Sequence, residues 1–323
     1  MFGLQIKMWL LVALLFGILY GVITGIGSYL GIGNASVYII LAFLFMGFQY
    51  WFGPSMVSMI MRIRYVSEKE EPELHRQITE LSQKAGIPKP KIGISQISIP
   101  NAFAFGRTMR DGRVCVTQGI RGLLNQNELK AVLGHEIAHL KHRDMMIITL
   151  ISVIPLILYW VAFNLMWGGA FGRQRGGYAV LIGLGAMALY FLTNLLVLYG
   201  SRIREYYADE RSVKLGNNPH YLASALYKLV YSSAQAKKTR QGQEELKRVG
   251  AIKAFFLNDV SRAWNEVKEL KEVDKDLSGT IDQNELLALR TKKTKLTKAE
   301  KIMEIFTTHP NTLKRIKRLS AIQ

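Results

Sequence analysis

His135 and His139 stand four residues apart with Glu136 beside the first, in the run Gly134-His135-Glu136-Ile137-Ala138-His139. Positions i and i+4 lie on one face of a helix. Two imidazoles so placed can share one zinc ion, and the intervening carboxylate can take a proton from water at the metal. The flanks read as a helix from Glu128 to Asp144. Asn125 or Asn127 can cap it, and Leu129, Val132, Leu133, Ile137 and Leu140 give it an apolar face. Zinc in a hydrolase needs a third protein ligand and one open position. His142 is offset from the pair, so a carboxylate is the better candidate. In Arg202-Ile203-Arg204-Glu205-Tyr206-Tyr207-Ala208-Asp209, Glu205 and Asp209 share a face, and Ala208 is small enough for two helices to approach. Glu205 as ligand, with Asp209 holding a histidine by its free ring nitrogen, is a sound zinc design.

The elements that must position these groups include membrane spans. No charged residue occurs between Lys7 and Arg62, a stretch of about 80 Å at helical rise, more than one bilayer crossing. Gly31-Ile32-Gly33-Asn34 divides it into spans near Met8–Leu30 and Ala35–Met61. Two further uncharged runs place spans near Met145–Trp167 and Tyr178–Gly200. The net charge is +18, and residues 62–144 and 201–323 supply most of it. With four spans these segments share one side, and Arg62, Arg64, Lys141, Arg143, Arg202 and Arg204 at the span ends make that side cytoplasmic, with both termini. The basic balance fits anionic lipid headgroups; no recognition motif for nucleic acid accompanies it. The single cysteine, Cys115, excludes an intrachain disulfide and reads as inert core.

The expected layout is therefore a transmembrane hairpin (1–61), a first polar segment with edge strands and the HExxH helix (62–144), a second hairpin (145–200) and a second polar segment (201–323). In the first polar segment Glu70–Lys84 reads as a helix. Lys91–Ile99, Asn101–Arg107 and Arg113–Thr117 read as strands, the last two joined at the turn dipeptide Asp111-Gly112. Helix is expected to run on from the fourth span to Leu215, then again over Tyr221–Ala236, followed by a polar linker to Lys247.

Gly134 with HEIAH, together with Arg-x-x-Glu-x-x-Ala-Asp at 202–209, resembles the HtpX-type membrane zinc proteases and the related CaaX prenyl endopeptidases. Asn101-Ala102-Phe103-Ala104-Phe105-Gly106 is similar to that family's substrate-side edge strand, and Thr308-His309-Pro310 with Arg315-Ile316 to its C-terminal motif. The resemblance implies a mainly α protein: four transmembrane helices and a cytoplasmic zincin-like α+β metalloprotease domain built from two segments. It implies one catalytic zinc on His135, His139 and Glu205, Glu136 as base, and His309 as oxyanion stabiliser. Asn101, Ala102, Phe103 and Ala104 would meet the substrate. The short N-terminal hairpin fits the HtpX type better than the prenyl-processing type.

One motif lies outside that resemblance. Asp274-Lys275-Asp276-Leu277-Ser278-Gly279-Thr280-Ile281-Asp282-Gln283-Asn284-Glu285 has the pattern of an EF-hand loop. Asp274, Asp276, Ser278, Thr280 (through its carbonyl), Asp282 and Glu285 would supply oxygens to calcium, with Gly279 at the sharp turn. The lysines that follow, Lys292, Lys293, Lys295 and Lys298, read as a solvated face. The expected function is an integral membrane zinc endopeptidase of the cell (inner) membrane that cleaves membrane or misfolded proteins near the cytoplasmic surface, with the lipid bilayer as its other partner. The alternatives are CaaX prenyl-protein processing, or a non-catalytic, calcium-responsive membrane anchor.

Overall fold

The computed structural model describes residues 14, 18, 35–144, scattered positions between 154 and 166, 176–236, 238–240, 242–244, 263–291 except 272, and 298–322. In chain order the elements are α1 (Ala35–Ile60), β1 (Ile63–Tyr65), α2 (Pro72–Ala85), β2 (Lys91–Ser95), β3 (Ala102–Phe105), β4 (Arg113–Thr117), α3 (Gln118–Leu123) and α4 (Gln126–Lys141). They continue with α5 (Gly176–Lys214), α6 (Pro219–Ala236), α7 (Ala263–Leu270), α8 (Gln283–Thr291), α9 (Lys298–Ile305) and α10 (Thr312–Leu319). The protein is mostly helical with one sheet. It divides into two units, Met1–Phe52 with Met146–Ser201, and Gly53–Met145 with Arg202–Gln323.

In the first unit Ile154, Leu158 and Val197 form a buried cluster with Ile18, Leu189, Tyr190 and Leu196. Tyr178–Lys214 is the one helix among the described residues found long and apolar enough to cross a membrane. Of the other expected spans, Ala35–Met61 falls on α1, while Met8–Leu30 and Met145–Trp167 lie almost wholly outside the described residues.

The second unit is built on a four-stranded sheet in the order β1-β2-β4-β3. β2 and β4 run parallel, with Ile94 opposite Val116; β3 returns antiparallel along β4, with Phe103 opposite Cys115. Alternation sends Ala102, Ala104, Val114 and Val116 into the main core against helical residues such as Leu81, Val132, Leu133 and Leu226. Phe103, Phe105 and Cys115 point to the other face, against Val57 and Met61. Burying side chains the size of Leu133 or Ile137 stabilises by about 1.5–3 kcal/mol each.

Two expectations for the sheet need correction. β3 and β4 are not joined by a tight turn at Asp111-Gly112. Met109–Asp111 forms a 3₁₀ turn capped by Thr108, and Gly112 is extended. The Asp111 carboxylate is engaged there by Arg107 and Arg113, which stiffens the connection. β2 also stops at Ser95, not Ile99, because Ser95 Oγ turns to donate to the Met61 carbonyl. Ile97 and Ile99 remain buried, so apolar side chains alone overstated the strand. β1 went unforeseen, since three residues with Arg64 and Tyr65 exposed carry too short a pattern.

Candidate metal centre

α4 starts at a reciprocal cap. Asn125 Oδ1 accepts from the Glu128 amide and Glu128 Oε2 from the Asn125 amide, each at 2.9 Å. Buried Glu128 also accepts from Ser224 Oγ at 2.6 Å and Lys228 Nζ at 2.8 Å, which ties this end to α6. One turn before His139 the helix meets the C-terminal part of α5. A Cβ on Gly134 would lie 2.4 Å from Asn217 Nδ2 and 2.8 Å from Ser212 Oγ, so any larger residue would have to displace those two hydrogen-bonded side chains. Ser212 Oγ closes the contact by donating to the Ala131 carbonyl at 2.6 Å. Ala208 is buried on the same side of α5 as Glu205, four residues from Ser212.

The crossing gathers His135, His139 and Glu205, with one ligand atom of each within 4.8 Å of the others. His135 Nε2 and His139 Nε2 are 3.0 Å apart. Glu205 Oε2 lies 3.5 Å from the first and Oε1 3.5 Å from the second. Each ring turns its other nitrogen to a carboxylate: Asp209 Oδ1 is 2.9 Å from His135 Nδ1, and Asp144 Oδ2 is 2.6 Å from His139 Nδ1. A ring donating from Nδ1 carries its lone pair on Nε2. The two Nε2 atoms therefore converge beside a carboxylate, where a cation, a proton or a metal ion, must sit between their lone pairs. Two imidazole nitrogens and a carboxylate oxygen are a donor set that suits zinc.

The electrostatics point the same way. Burial would push the His135 imidazole down, but Asp209 and Glu205 outweigh it and raise it to about 9, so the pocket favours positive charge. Burial raises the Glu136 carboxyl above its ordinary value, offset in part by the two histidines. The Ala104 amide of β3 hydrogen-bonds that carboxylate, so Glu136 and the end strand touch. A carboxylate shifted upward is a better proton acceptor at neutral pH.

The C-terminal residues complete the centre. Buried Arg315 on α10 grips Asp209 with Nε–Oδ2 at 2.9 Å and Nη2–Oδ1 at 2.7 Å, and its Nη1 is 3.2 Å from Glu205 Oε2. His309 is buried with Nε2 3.8 Å from Glu205 Oε1 and Nδ1 2.9 Å from Thr308 Oγ1. His142 is not in the ligand group; it closes the end of α4, its ring 6.3 Å from that of Tyr207.

Asp144 is the residue at the centre that sequence reasoning passed over, reading it only as the end of the helix that carries the histidines. α4 ends at Lys141, and the positive φ of Arg143 turns the chain back, which brings Asp144 under His139. Arg204 Nη1 holds it there by donating to its carbonyl at 2.7 Å. A carboxylate just beyond the helix end was the signal. Asn101 and Ala102–Ala104 lie at and along β3, the end strand of the sheet, all buried; Phe103 faces away from Ala102 and Ala104.

In the acidic loop Asp274, Asp276 and Glu285 converge within the same 4.8 Å. Leu277 and Gly279 both take positive φ, the turn that glycine at this position serves. Ser278 Oγ is engaged with Thr280, and Asp282 Oδ1 accepts from the Glu285 amide at the start of α8. Tyr227 of α6 donates to Asp274 at 2.7 Å.

The sequence profile of Peptidase family M48 matches residues 68–323. A Protease HtpX homolog of Methanothermobacter thermautotrophicus is 49% identical over 237 residues, 73% of this chain and 90% of that one. The Protease HtpX homolog of Pyrococcus furiosus is 39% identical over 229 residues, 69% of this chain and 79% of that one. Among solved structures, Ste24p of S. mikatae aligns at 15% identity and a TM-score of 0.45, over 99% of this chain and 67% of that one.

Proposed function

This chain belongs to Peptidase family M48, and on that premise we propose that it is an integral membrane zinc endopeptidase whose ligands are His135, His139 and Glu205. The observation that carries the ligand assignment is the pair of Nε2 atoms facing each other at 3.0 Å, each ring backed by its own carboxylate. Zinc bound there would polarise the scissile carbonyl and acidify a water. Glu136, shifted upward by burial, accepts the proton of the attacking water and returns it to the leaving amine. His309, on the Glu205 side of the centre, donates to the developing oxyanion. Asp209 and Asp144 hold the two histidines with Nδ1 protonated, and Arg315 balances Asp209 and Glu205. The substrate backbone adds as a strand along β3, beside Asn101–Ala104, where the Ala104 amide already meets the base.

The membrane arrangement belongs to the same proposal: four spans, with residues 62–144 and 201–323 on the cytoplasmic side. Glu205 follows Arg202, the first charge after the uncharged run that ends at Ser201, by three residues. At about 1.5 Å per residue the metal then lies within one or two turns of the membrane surface, which suits membrane-protein substrates. A non-catalytic anchor has no use for Glu136, and prenyl-protein processing needs a prenylated substrate. The test is cleavage of a denatured polypeptide and of a prenylated peptide by detergent-purified protein. Hydrolysis of the first, abolished by a zinc chelator and restored by zinc, supports the reading; a Glu136→Gln protein cleaving as fast as its parent sinks it.

We also propose calcium at the loop 274–285, supported by the convergence of Asp274, Asp276 and Glu285. Carboxylates this close repel one another, and a divalent cation relieves them.

A further inference from the structure

α9 and its continuation are inside out. Ile302, Met303, Ile305 and Phe306 are exposed, at 59%, 47%, 43% and 53%, while Glu304 among them is buried. At 100° per residue the four apolar positions fill an arc of about 160°, one face of the helix. Glu304 points the other way, onto Lys314 Nζ and the Asn311 amide. A helix in water places these faces in the reverse order. Its neighbours say what the medium is. Arg202 Nη1 donates to the carbonyls of Ile305 at 2.9 Å and Thr307 at 2.7 Å. Arg202 is the first charged residue after the uncharged run of α5, so these bonds tie the patch to the residue that, in the membrane reading, stands at the headgroups. The sequence leading into α9 carries Lys292, Lys293 and Lys295, and α9 itself Lys298 and Lys301, a charge that complements anionic headgroups.

We propose that Ile302, Met303, Ile305 and Phe306 insert into the headgroup region of the bilayer, so that α9 is a membrane-surface anchor next to the metal centre. This rests on the membrane reading above. An interfacial helix buries its apolar face about 5–10 Å into the headgroup and acyl boundary. The anchor leads directly to the catalytic segment: Thr307 Oγ1 bonds the carbonyls of Glu304 and His309. Contact with lipid thereby sets where His309 stands.

The experiment is spin labelling of the full chain in vesicles of phosphatidylcholine and phosphatidylglycerol. Cys115, the one cysteine, is buried with no exposed surface, so single cysteines can be labelled selectively. Met303→Cys and Phe306→Cys report the patch, Phe191→Cys the exposed side of the apolar part of α5, and Leu277→Cys a solvent-exposed loop. Labels at 303 and 306 should collide readily with oxygen and lose most of the collisions with a water-soluble nickel complex that the label at 277 keeps. Nickel access at 303 and 306 equal to that at 277, with 191 lipid-exposed, overturns the anchor alone. Nickel access at 191 as well removes the membrane reading beneath it. Protection of 303 and 306 from both reagents, with dipolar broadening that dilution by unlabelled protein removes, assigns the face to a second copy and also overturns the proposal.

Discussion

Asp144→Asn separates the support of a metal ligand from the ligand itself. The carboxylate lies 2.6 Å from His139 Nδ1 and is buried, so its charge acts at short range in a poorly screened site. Asparagine keeps an oxygen for Nδ1 to bond but loses the charge that makes Nε2 a strong donor. Losing the partner behind a metal-binding histidine costs 10–100-fold in affinity, about 1.4–2.8 kcal/mol. The fold should tolerate the change, because Arg204 holds residue 144 through its backbone carbonyl, at 2.7 Å, and that bond survives; the Arg204 Nε contact with the carboxylate is 3.9 Å, at the limit of an ion pair. Asp209→Asn is the contrasting case. It removes the partner of His135 and leaves buried Arg315 with Glu205 alone, which costs part of the roughly 3–5 kcal/mol of a broken buried pair. The assay is zinc competition against a chelator of known affinity, beside thermal unfolding with and without zinc. Asp144→Asn should lose zinc affinity by one to two decades with a small change in the zinc-free melting temperature, and Asp209→Asn should lose both. Zinc affinity in Asp144→Asn within twofold of the parent would refute the reasoning.

Glu205→Ala should empty the site of zinc at micromolar free metal while His142→Ala leaves it filled, since His142 stands outside the ligand group; elemental analysis of the two proteins decides it. Gly134→Ala puts a methyl group 2.4 Å from Asn217 Nδ2 and should destabilise by about 1–3 kcal/mol; an unchanged denaturant midpoint would mean the helices do not cross there. Calcium at one hundred times its dissociation constant should stabilise the protein by about 2.7 kcal/mol. Glu285→Gln should abolish that gain, and equal shifts in both proteins would remove calcium from the loop.

The centre was more legible in the sequence than the sheet around it. HExxH and Glu-x-x-x-Asp encode their geometry locally, because helical spacing alone says which side chains share a face. Asp144 was hidden for the opposite reason: it reaches His139 only after the chain reverses at Arg143, and no periodicity announces a positive φ at an arginine. The Arg315 clamp and the Arg202 bonds join residues more than one hundred apart in the chain, and such pairings follow from packing. In the sheet, β1 was too short to carry alternation, and β2 was overextended because Ile97 and Ile99 are buried without being paired. Glu304 shows a further limit: burial assigned by residue type inverts α9.

The order in which the chain supplies the parts of its centre has a consequence for its biosynthesis. His135, Glu136 and His139 come first, then Asp144, then Glu205 and Asp209, and last His309 and the Arg315 clamp. A nascent chain emerging from the ribosome therefore presents Glu136, the proposed base, long before Arg315, which steadies the carboxylates of Asp209 and Glu205. Until residue 315 has docked, Asp209 and Glu205 lack the buried cation that balances them. The centre should thus stay incomplete until the last residues are made, and chains released after residue 307 should hold no stable centre.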